Sequence, residues 1–257
     1  MTAPPHARKR RLRFAIQFTG LQLVNLLYLP ILVLFTFLSW GKLARPLIKG
    51  YGRIMLFVAR AELYIEPAAR AELALRRRRI ITFNHCSTMD MFLMTALWPR
   101  SGVAVIKREM LRLPIMGQVM ALLDFIPLDR ENRGKSMSAL GEAAKRVKAK
   151  ELSVIMAPEG TRSATGELQP FKLGAFHMAA QADAPIVPLV LHGTRQLWPR
   201  WQSHSNTGRI TVRLLPEMES GADSPDGESI RARADALHAA YAAELEKMDR
   251  EVPVTRG

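Results

Sequence analysis

An apolar run at residues 14–41 constrains the fold of this chain more than any other feature of its sequence. No acidic or basic residue lies between Arg13 and Lys42, and roughly 20 apolar residues in a helix suffice to cross the hydrocarbon core of a bilayer. Residues 1–60 contain ten Lys or Arg, placed on both sides of the run, and no Asp or Glu. We therefore expect membrane association through this N-terminal region.

The charges that flank the run leave its orientation open, because basic residues precede it at 8–13 and follow it at 42–53. These symmetric flanks, with interruptions such as Gln17 and Pro30, favour a hairpin that returns to the same membrane face. A single span and a cleaved signal are the alternatives. Residues 43–60 alternate basic and apolar side chains, as an interfacial helix on anionic lipid does. The expected location is the cytoplasmic face of the inner (plasma) membrane, monotopic or single-span.

Length and cysteine content limit the class of protein. A chain of 257 residues is long enough for one catalytic domain with a full hydrophobic core but is short for two large domains. The single cysteine, Cys86, excludes an intramolecular disulfide and a thiolate metal cluster, and it fits a reducing compartment. The net charge of +14 raises a nucleic-acid or purely membrane-binding function as an alternative. Because that charge brackets an apolar segment and lacks interleaved aromatic residues, no nucleic-acid partner is expected.

From residue 61 onward, short β-branched or apolar runs alternate with segments of helical periodicity. This alternation is typical of an α/β domain whose mixed, largely parallel sheet is flanked by helices. The predicted strands are 63–65, 79–83, 103–106, 125–128, 152–157, 186–192 and 210–214. The predicted helices are 89–98, 114–123, 137–150, 175–182 and 230–250, with Ser136 as a candidate N-cap. We divide the chain into N-terminal membrane-associated helices at 1–60 and an α/β domain at 61–257.

Two charged motifs follow directly on predicted strands. The strand at 79–83 runs into His85, and the strand at 152–157 runs into Glu159. Ligands of open α/β sheets bind outside the carboxyl ends of the strands. The sequence therefore predicts a site at this edge of the sheet.

His85 and Asp90 are five residues apart, which on a regular helix corresponds to about 140° of rotation. They meet only if His85 stays in a loop and Ser87 caps a helix, so that Asp90 falls in the first turn and reaches back. A carboxylate beside a histidine makes a general base, because it fixes the imidazole tautomer and stabilises the imidazolium. The structural alternative is a capping pattern in which Asp90 bonds only the amide of Ser87.

The second motif, at residues 159–163, places a flexible glycine, Gly160, beside the hydroxyl of Thr161 and the guanidinium of Arg162. Such a turn suits a phosphate oxygen that is approached by backbone amides and a guanidinium. A surface turn with an exposed arginine is the alternative. Lys172 adds a second positive charge, and Arg130 joins the set if the loop after strand 125–128 faces the same crevice.

In order and spacing, four motifs resemble the glycerolipid acyltransferase family, most closely its bacterial members. The resemblance covers roughly residues 45–215 and rests on Asn84-His85-x4-Asp90, a strand ending in Asp129-Arg130, Pro158-Glu159-Gly160-Thr161-Arg162-Ser163 and Ile186-Val187-Pro188-Leu189. Two positions depart from the family pattern: Asp124 stands where glycine is usual, and Ala157 stands where an aromatic residue is usual.

The resemblance implies that His85 is the general base and Asp90 its orienting partner. It also implies a set of substrate-binding residues: Lys107, Arg130, Glu159, Gly160, Thr161, Arg162, Lys172 and Pro188. The implied reaction moves an acyl chain from acyl-CoA or acyl carrier protein to the free hydroxyl of lysophosphatidic acid, giving phosphatidic acid. Membrane lipid is the implied environment, and no metal or redox cofactor is required.

Three alternatives stay open from the sequence. The acceptor could be another lyso-lipid, such as a lysophospholipid or a lyso-ornithine lipid, and the charge of Asp124 could alter this preference. A hydrolase would use His85 to activate water against the same thioester. Cys86 could act as the nucleophile of an acyl-enzyme, although a half-buried free cysteine is more often a small apolar filler.

Overall fold

In the computed structural model, which describes residues 5–114, 116–129, 132–202, 205–223 and 226–254, strands and helices alternate from residue 61 onward. The strands are β1 (Ala61–Ile65), β2 (Arg79–Phe83), β3 (Gly102–Lys107), β4 (Ile126–Leu128), β5 (Ser153–Met156), β6 (Ile186–His192) and β7 (Gly208–Leu214). The helices are α1 (Pro5–Leu38), α2 (Ala44–Val58), α3 (Pro67–Ala74), α4 (Met89–Ala96), α5 (Met116–Leu122), α6 (Arg133–Lys150), α7 (Gly174–Ala182), α8 (Thr194–Leu197) and α9 (Gly227–Glu251).

The strands form one sheet in the order β1-β7-β6-β2-β5-β3-β4. Strands β6 and β7 pair antiparallel, and every other neighbouring pair is parallel. This arrangement confirms the predicted mixed, largely parallel sheet. Strand β2 lies between β6 and β5, and all five of its side chains are buried, as expected for a central strand that is covered on both faces.

Helices cover both faces of the sheet and enclose two hydrophobic cores. The first core lies under α1, α2 and α4, where residues such as Met55 and Leu93 pack toward Ile81 of β2. The second lies under α6, α7 and α9, where Phe176 and Tyr241 pack toward Ile80 of the same strand. Because neighbouring residues of a strand face opposite sides of the sheet, β2 contributes side chains to both cores. Packing on both faces fixes the position of this strand.

The apolar run does not fold back on itself: α1 continues to Leu38, and the chain reverses afterwards, at residues 39–43. Helix α2 then returns antiparallel along α1. The Tyr28 hydroxyl donates to the carbonyl of Leu47 at 2.9 Å, and the Tyr51 hydroxyl donates to Oδ1 of Asn25 at 2.8 Å. The expected fold-back within the run is therefore not observed, because the run forms one helix and the chain reverses only at its end.

The apolar part of α1 is largely uncovered by protein. Residues Phe14–Leu38 form a stretch of 25 residues with a mean hydropathy of 2.1, and only 17% of its most apolar window is buried. By length and composition, this stretch is a candidate membrane span. The predicted boundary at residue 60 falls between the end of α2 and the start of β1, and the division into two domains stays a prediction, since α2 packs closely on α4.

The N-cap of α6 and two short helices differ from the prediction. Ser136 lies inside α6 and does not cap it; the cap is Asn132, whose side chain accepts from the amide of Lys135 at 3.0 Å. The residues before position 137 are charged or small, so the apolar periodicity that predicts a helix does not extend to this first turn. Helix α3 was not predicted, although Pro67 at its first turn and the alanines that follow are helix-start signals. The short helix α8 also was not predicted.

Candidate active site

The site begins where β2 ends, at a junction that is held by Asn84. Its side-chain amide donates to the carbonyl of Leu191 at 2.9 Å, and its Oδ1 accepts from the Leu191 amide at 2.8 Å. These two bonds fasten the end of β2 to β6. They fix the point at which the chain leaves the sheet and turns toward His85.

His85 and Asp90 meet as predicted, with Nδ1 of the imidazole 2.9 Å from Oδ2 of the carboxylate. The same oxygen accepts from the backbone amides of Cys86 at 2.9 Å and Ser87 at 2.8 Å. An ionised carboxylate can only accept hydrogen bonds, so the neutral imidazole carries its proton on Nδ1 and donates it to Asp90. Nε2 of His85 is then the nitrogen that can accept a proton. The capping role and the orienting role of Asp90 therefore coexist in one oxygen.

The two side chains differ in exposure, as a base and its partner should. The Asp90 side chain is fully buried, while that of His85 is 26% exposed. Ser87 contributes from below: its hydroxyl accepts from the Met89 amide at 2.9 Å and donates to the carbonyl of Trp198 at 2.6 Å. Helix α4 begins at Met89, so Asp90 lies in its first turn, where a negative charge is favoured by the helix dipole.

Glu159 is buried, and its side chain holds His85 by a hydrogen bond to the backbone amide. Its Oε1 accepts from the amide of His85 at 2.5 Å, and its Oε2 accepts from the amide of Gln169 at 3.0 Å. Burial raises the pKa of Glu159 from 4.5 to about 7, and these two amide donors offset part of that rise. Both carboxylate oxygens are engaged within the protein, so the side chain holds the loop together.

Arg162 lies close to the His85–Asp90 pair. Ser163, its neighbour, donates from its backbone amide to the carbonyl of His85 at 2.8 Å, and Nη1 of Arg162 donates to the Thr88 hydroxyl at 2.8 Å. Burial, and then the like charge of Arg200, lower the pKa of Arg162, while the charge of Asp90 raises it. A half-buried guanidinium is thus presented next to the loop that carries His85.

Gly160 and Lys172 lie together at the same place. Gly160 has a φ of +73°, which a glycine adopts without strain, and a Cβ at this position would approach the Lys172 side chain to 2.8 Å. The Lys172 amide donates to the carbonyl of Pro158 at 2.8 Å. The glycine therefore lets the lysine stem lie against the turn, with its exposed ammonium near the loop.

A cavity of about 940 Å³ opens beside His85. Most of its lining is apolar and comes from both cores, including Met94 and Trp98 of the first and Leu140 of the second. Leu29 of α1 and Ile48 of α2 also line it, so the cavity connects the histidine with the N-terminal helix pair. A largely apolar cavity that is lined by a histidine suits an acyl chain whose reactive end is polar.

The remaining expected site residues are placed unequally. Lys107 lines the cavity at the end of β3, near Glu109 at 3.7 Å. Thr161 is exposed on the turn, and Pro188 is buried inside β6 opposite Thr82. Neither residue is among those that line the cavity. Arg130 lies outside the described residues.

Cys86 is buried, and its thiol lies 3.6 Å from the hydroxyl of Thr194. Burial raises the pKa of the Cys86 thiol far above its ordinary value, and the nearby charge of Asp90 raises it further. A thiol that does not ionise is a poor nucleophile, so this environment does not favour an acyl-enzyme. Among the described residues, no group of three or more His, Cys, Asp or Glu is positioned to hold a metal ion.

Thr88 and Arg200 belong to the site but were not identified from the sequence. Thr88 contacts Arg162 through its hydroxyl, and Nη1 of Arg200 donates to the carbonyl of Arg162 at 2.9 Å. Thr88 lies between His85 and Asp90 in the sequence, so this position alone could have identified it as a candidate site residue. Arg200 follows β6 by eight residues in an irregular segment, and no local pattern points from it to the site.

Comparison with known proteins shows the family to which this chain is similar. The acyltransferase family model matches residues 64–192. The chain is 30% identical over 235 residues to a 1-acyl-sn-glycerol-3-phosphate acyltransferase from Cocos nucifera, covering 91% of this chain and 74% of that relative. It is 39% identical over 145 residues to a protein of the same name from Limnanthes alba, covering 56% and 52% respectively. The chain thus spans about three quarters of the first relative's length and about half of the second's.

Among solved structures, the fold is similar to that of PlsC from Thermotoga maritima, described as a 1-acyl-sn-glycerophosphate (LPA) acyltransferase. The TM-score is 0.73 at 23% identity, over 93% of this chain and 97% of that chain. The family model and the relatives therefore define an acyltransferase, and its fold is a mixed α/β sheet. This chain belongs to the acyltransferase family, as its motifs predicted.

Proposed function

We propose that this protein transfers an acyl chain from an acyl thioester to the free hydroxyl of 1-acyl-glycerol-3-phosphate and so forms phosphatidic acid. The observation that carries the proposal is the His85–Asp90 pair, 2.9 Å apart, whose histidine lines a largely apolar cavity and whose loop contacts Arg162. The names of the relatives from Cocos nucifera and Limnanthes alba support this acceptor. The donor is acyl-CoA or acyl carrier protein.

The pair supports general base catalysis. Nε2 of His85 takes the proton from the acceptor hydroxyl as that oxygen attacks the thioester carbonyl. The resulting tetrahedral intermediate collapses and expels the thiolate, which receives the proton from the imidazolium. Asp90 holds the ring with its proton on Nδ1 and stabilises the positive charge that develops during the reaction.

The basic groups around the pair support binding of a phosphate near the reacting hydroxyl. Arg162 approaches from the turn, and Lys172 lies against Gly160. A phosphate that is held by these groups places the adjacent hydroxyl by His85, and the bimolecular encounter becomes a positioned one. Glu159 acts in this proposal by positioning, because its carboxylate bonds the amides of His85 and Gln169.

The N-terminal helix pair supports a monotopic arrangement at the membrane surface. Helix α2 runs beside the middle of α1, with contacts between Leu47 and Tyr28 and between Tyr51 and Asn25. If α1 crossed the bilayer, the exposed charges of α2, such as Arg53, would lie in hydrocarbon, at a cost of several kcal/mol. Lying in the interface, α1 exposes its apolar side chains to lipid while the cavity stays open to acyl chains. We propose the cytoplasmic face for this surface.

The test is turnover by the purified full chain, with 1-acyl-glycerol-3-phosphate as acceptor and acyl-CoA or acyl carrier protein as donor. We expect phosphatidic acid and free thiol in equal amounts. His85→Ala should lower kcat by roughly 10²- to 10⁴-fold, the usual contribution of a positioned base. His238→Ala is the control, since His238 lies on α9 and is not among the residues that line the cavity.

Two outcomes would overturn the proposal. Acylation of a different lyso-lipid, with no reaction of 1-acyl-glycerol-3-phosphate, would move the acceptor to another class. Release of free fatty acid and thiol at the same rate with and without acceptor would make the protein a thioester hydrolase.

A further inference from the structure

Arg200 is attached to the loop that carries His85, although it lies more than 100 residues beyond that loop in the chain. Pro199 forms an isolated antiparallel bridge with Ser87. The carbonyl of Trp198 accepts from the Ser87 hydroxyl at 2.6 Å and from the Thr88 amide at 3.3 Å. The position of Arg200 is therefore determined by the same loop that positions the histidine.

The guanidinium of Arg200 is held on two sides. Its Nη1 donates to the backbone carbonyl of Arg162 at 2.9 Å, and its Cζ lies 4.7 Å from the ring centroid of Trp201. The first contact brings the segments of the two arginines together, and the second is a cation–π interaction that stabilises the position of the guanidinium. Several N–H donors of both arginines remain available to a ligand.

Arg162 and Arg200 lack the carboxylate partners that several other buried or half-buried arginines have. Arg77 and Arg79 share Glu72, and Arg213 pairs with Glu244. Among the described residues, Arg162 donates to a hydroxyl and Arg200 to a carbonyl, and neither forms an ion pair. Two half-buried like charges without a carboxylate in direct contact are costly in isolation, and an anion between them removes that cost.

We propose that Arg162 and Arg200 together bind the phosphate of the acceptor, and that Arg200 makes the site selective for a phosphate monoester over a phosphodiester. This inference rests on the proposed function. A phosphate monoester carries about −1.5 to −2 charge at pH 7, whereas a diester carries only one. Two guanidiniums match the larger charge and supply paired N–H donors to its oxygens.

The kinetic test uses Arg200→Gln, with Arg209→Gln as the matched control. Arg209 lies over the Tyr64 ring at 4.6 Å, so its replacement removes the same charge and the same type of aromatic contact at a different place on the sheet. In Arg200→Gln, we expect the acceptor KM to rise at least about tenfold with kcat within about threefold, as the loss of ground-state binding does. Arg209→Gln should keep both values.

A second arm replaces the acceptor by 1-acyl-glycerol-3-phosphoglycerol, a phosphodiester. The preference of the wild type for the monoester, measured as a ratio of kcat/KM values, should fall at least about tenfold in Arg200→Gln. An unchanged ratio would refute the selective role of Arg200. A rise in the donor KM, measured with acyl-CoA, together with an unchanged acceptor KM would assign Arg200 to the phosphates of the donor and would overturn the proposal.

A third arm separates this proposal from the reaction. Binding of glycerol 3-phosphate to the purified protein is followed by ³¹P NMR for the wild type, Arg200→Gln and Arg209→Gln. Weaker binding in Arg200→Gln alone supports the two-arginine site even if 1-acyl-glycerol-3-phosphate is not acylated. Binding to the wild type that is no tighter than to Arg200→Gln overturns the site even if acylation is observed.

Discussion

The Glu159 carboxylate accepts a hydrogen bond from the backbone amide of His85 at 2.5 Å, so the second charged motif supports the first from beneath. The return bond, from the Ser163 amide to the His85 carbonyl at 2.8 Å, completes a two-sided attachment. The histidine is therefore positioned through its main chain by residues that lie more than 70 positions away. Substitutions at Glu159 should act on the geometry and stability of this loop before they act on substrate binding.

The raised pKa of Glu159 predicts a pH dependence of stability. Because its folded-state value of about 7 lies above the ordinary 4.5, the native state holds this proton more tightly than the unfolded chain does between these values. This contribution to the free energy of unfolding is present below pH 4.5 and is lost as pH rises to 7, by about 3 kcal/mol at most. Glu159→Gln, which cannot ionise, lacks it.

Thermal unfolding in detergent from about pH 4 to about pH 8 checks this prediction, because that range spans the titration of a carboxyl with a raised pKa. The difference in melting temperature, wild type minus Glu159→Gln, should decrease steadily as pH rises through the window. Parallel curves for the two proteins would show that the carboxyl titrates as an ordinary glutamate.

Asp90→Asn should lower kcat by roughly 10²- to 10⁴-fold with little change in KM, because an amide neither enforces the imidazole tautomer nor stabilises the imidazolium. The Asn oxygen still accepts from the amides of Cys86 and Ser87, so the loop should fold. Asp249→Asn is the matched control, since Asp249 also lies 2.9 Å from a histidine, His192, on a different part of the sheet. Equal losses in the two variants would remove the special role of the first pair.

Cys86→Ala should retain kcat within about threefold, because a buried thiol whose pKa is raised does not supply a thiolate. A modest loss of stability, about 1 kcal/mol, is expected from the small cavity that the substitution leaves. Steady-state turnover and intact-protein mass spectrometry provide the measurement. An acyl adduct on the wild type that is absent from the variant, together with loss of turnover, would establish the covalent route.

The side chain of Asp124 should influence the stability of the protein and not its choice of acceptor. It has a φ of +62°, and its carboxylate pairs with Arg146 at 3.0 Å and Lys150 at 2.8 Å on α6. Asp124→Gly relieves about 1 kcal/mol of backbone strain and loses two exposed ion pairs of similar total value, so the melting temperature should change little. Asp124→Ala keeps the strain and should be about 1 kcal/mol less stable than the glycine variant.

The same two variants should keep the acceptor preference of the wild type, since the carboxylate of Asp124 is directed at α6. A lyso-lipid panel measures this. A switch of acceptor in Asp124→Gly would return the residue to the substrate site, as the sequence alone had suggested.

A monotopic α1 predicts that both ends of the protein lie on one side of the membrane. In inverted vesicles, an N-terminal epitope tag and the α/β domain should be cleaved by added protease at similar rates. Protection of the tag with cleavage of the domain would show a span. A tag at the C-terminus, after α9, serves as the control for domain accessibility.

The local parts of the architecture could be predicted from the sequence. Residues 79–83 form a strand because they include the β-branched residues Ile80 and Ile81, which favour extended backbone and are buried here. The bend that joins His85 to Asp90 follows from a spacing that a continuous helix does not allow. Both are short-range properties, which the order of side chains along the chain determines by itself. The predicted ends of helices were less accurate, as the N-cap of α6 at Asn132 shows.

Tertiary structure decided which of these parts meet. Strand β2 pairs with β5 and β6, neither of which is adjacent to it in sequence, and only this order brings Glu159 and Ser163 to His85. The bridge between Ser87 and Pro199 likewise places Arg200 beside Arg162. Periodicity placed both motifs at one edge of the sheet but did not give the strand order or these contacts, because they depend on how the two cores pack against the sheet. The sequence alone determined the chemical groups and the strand ends that carry them, whereas the packing of the sheet determined their partners.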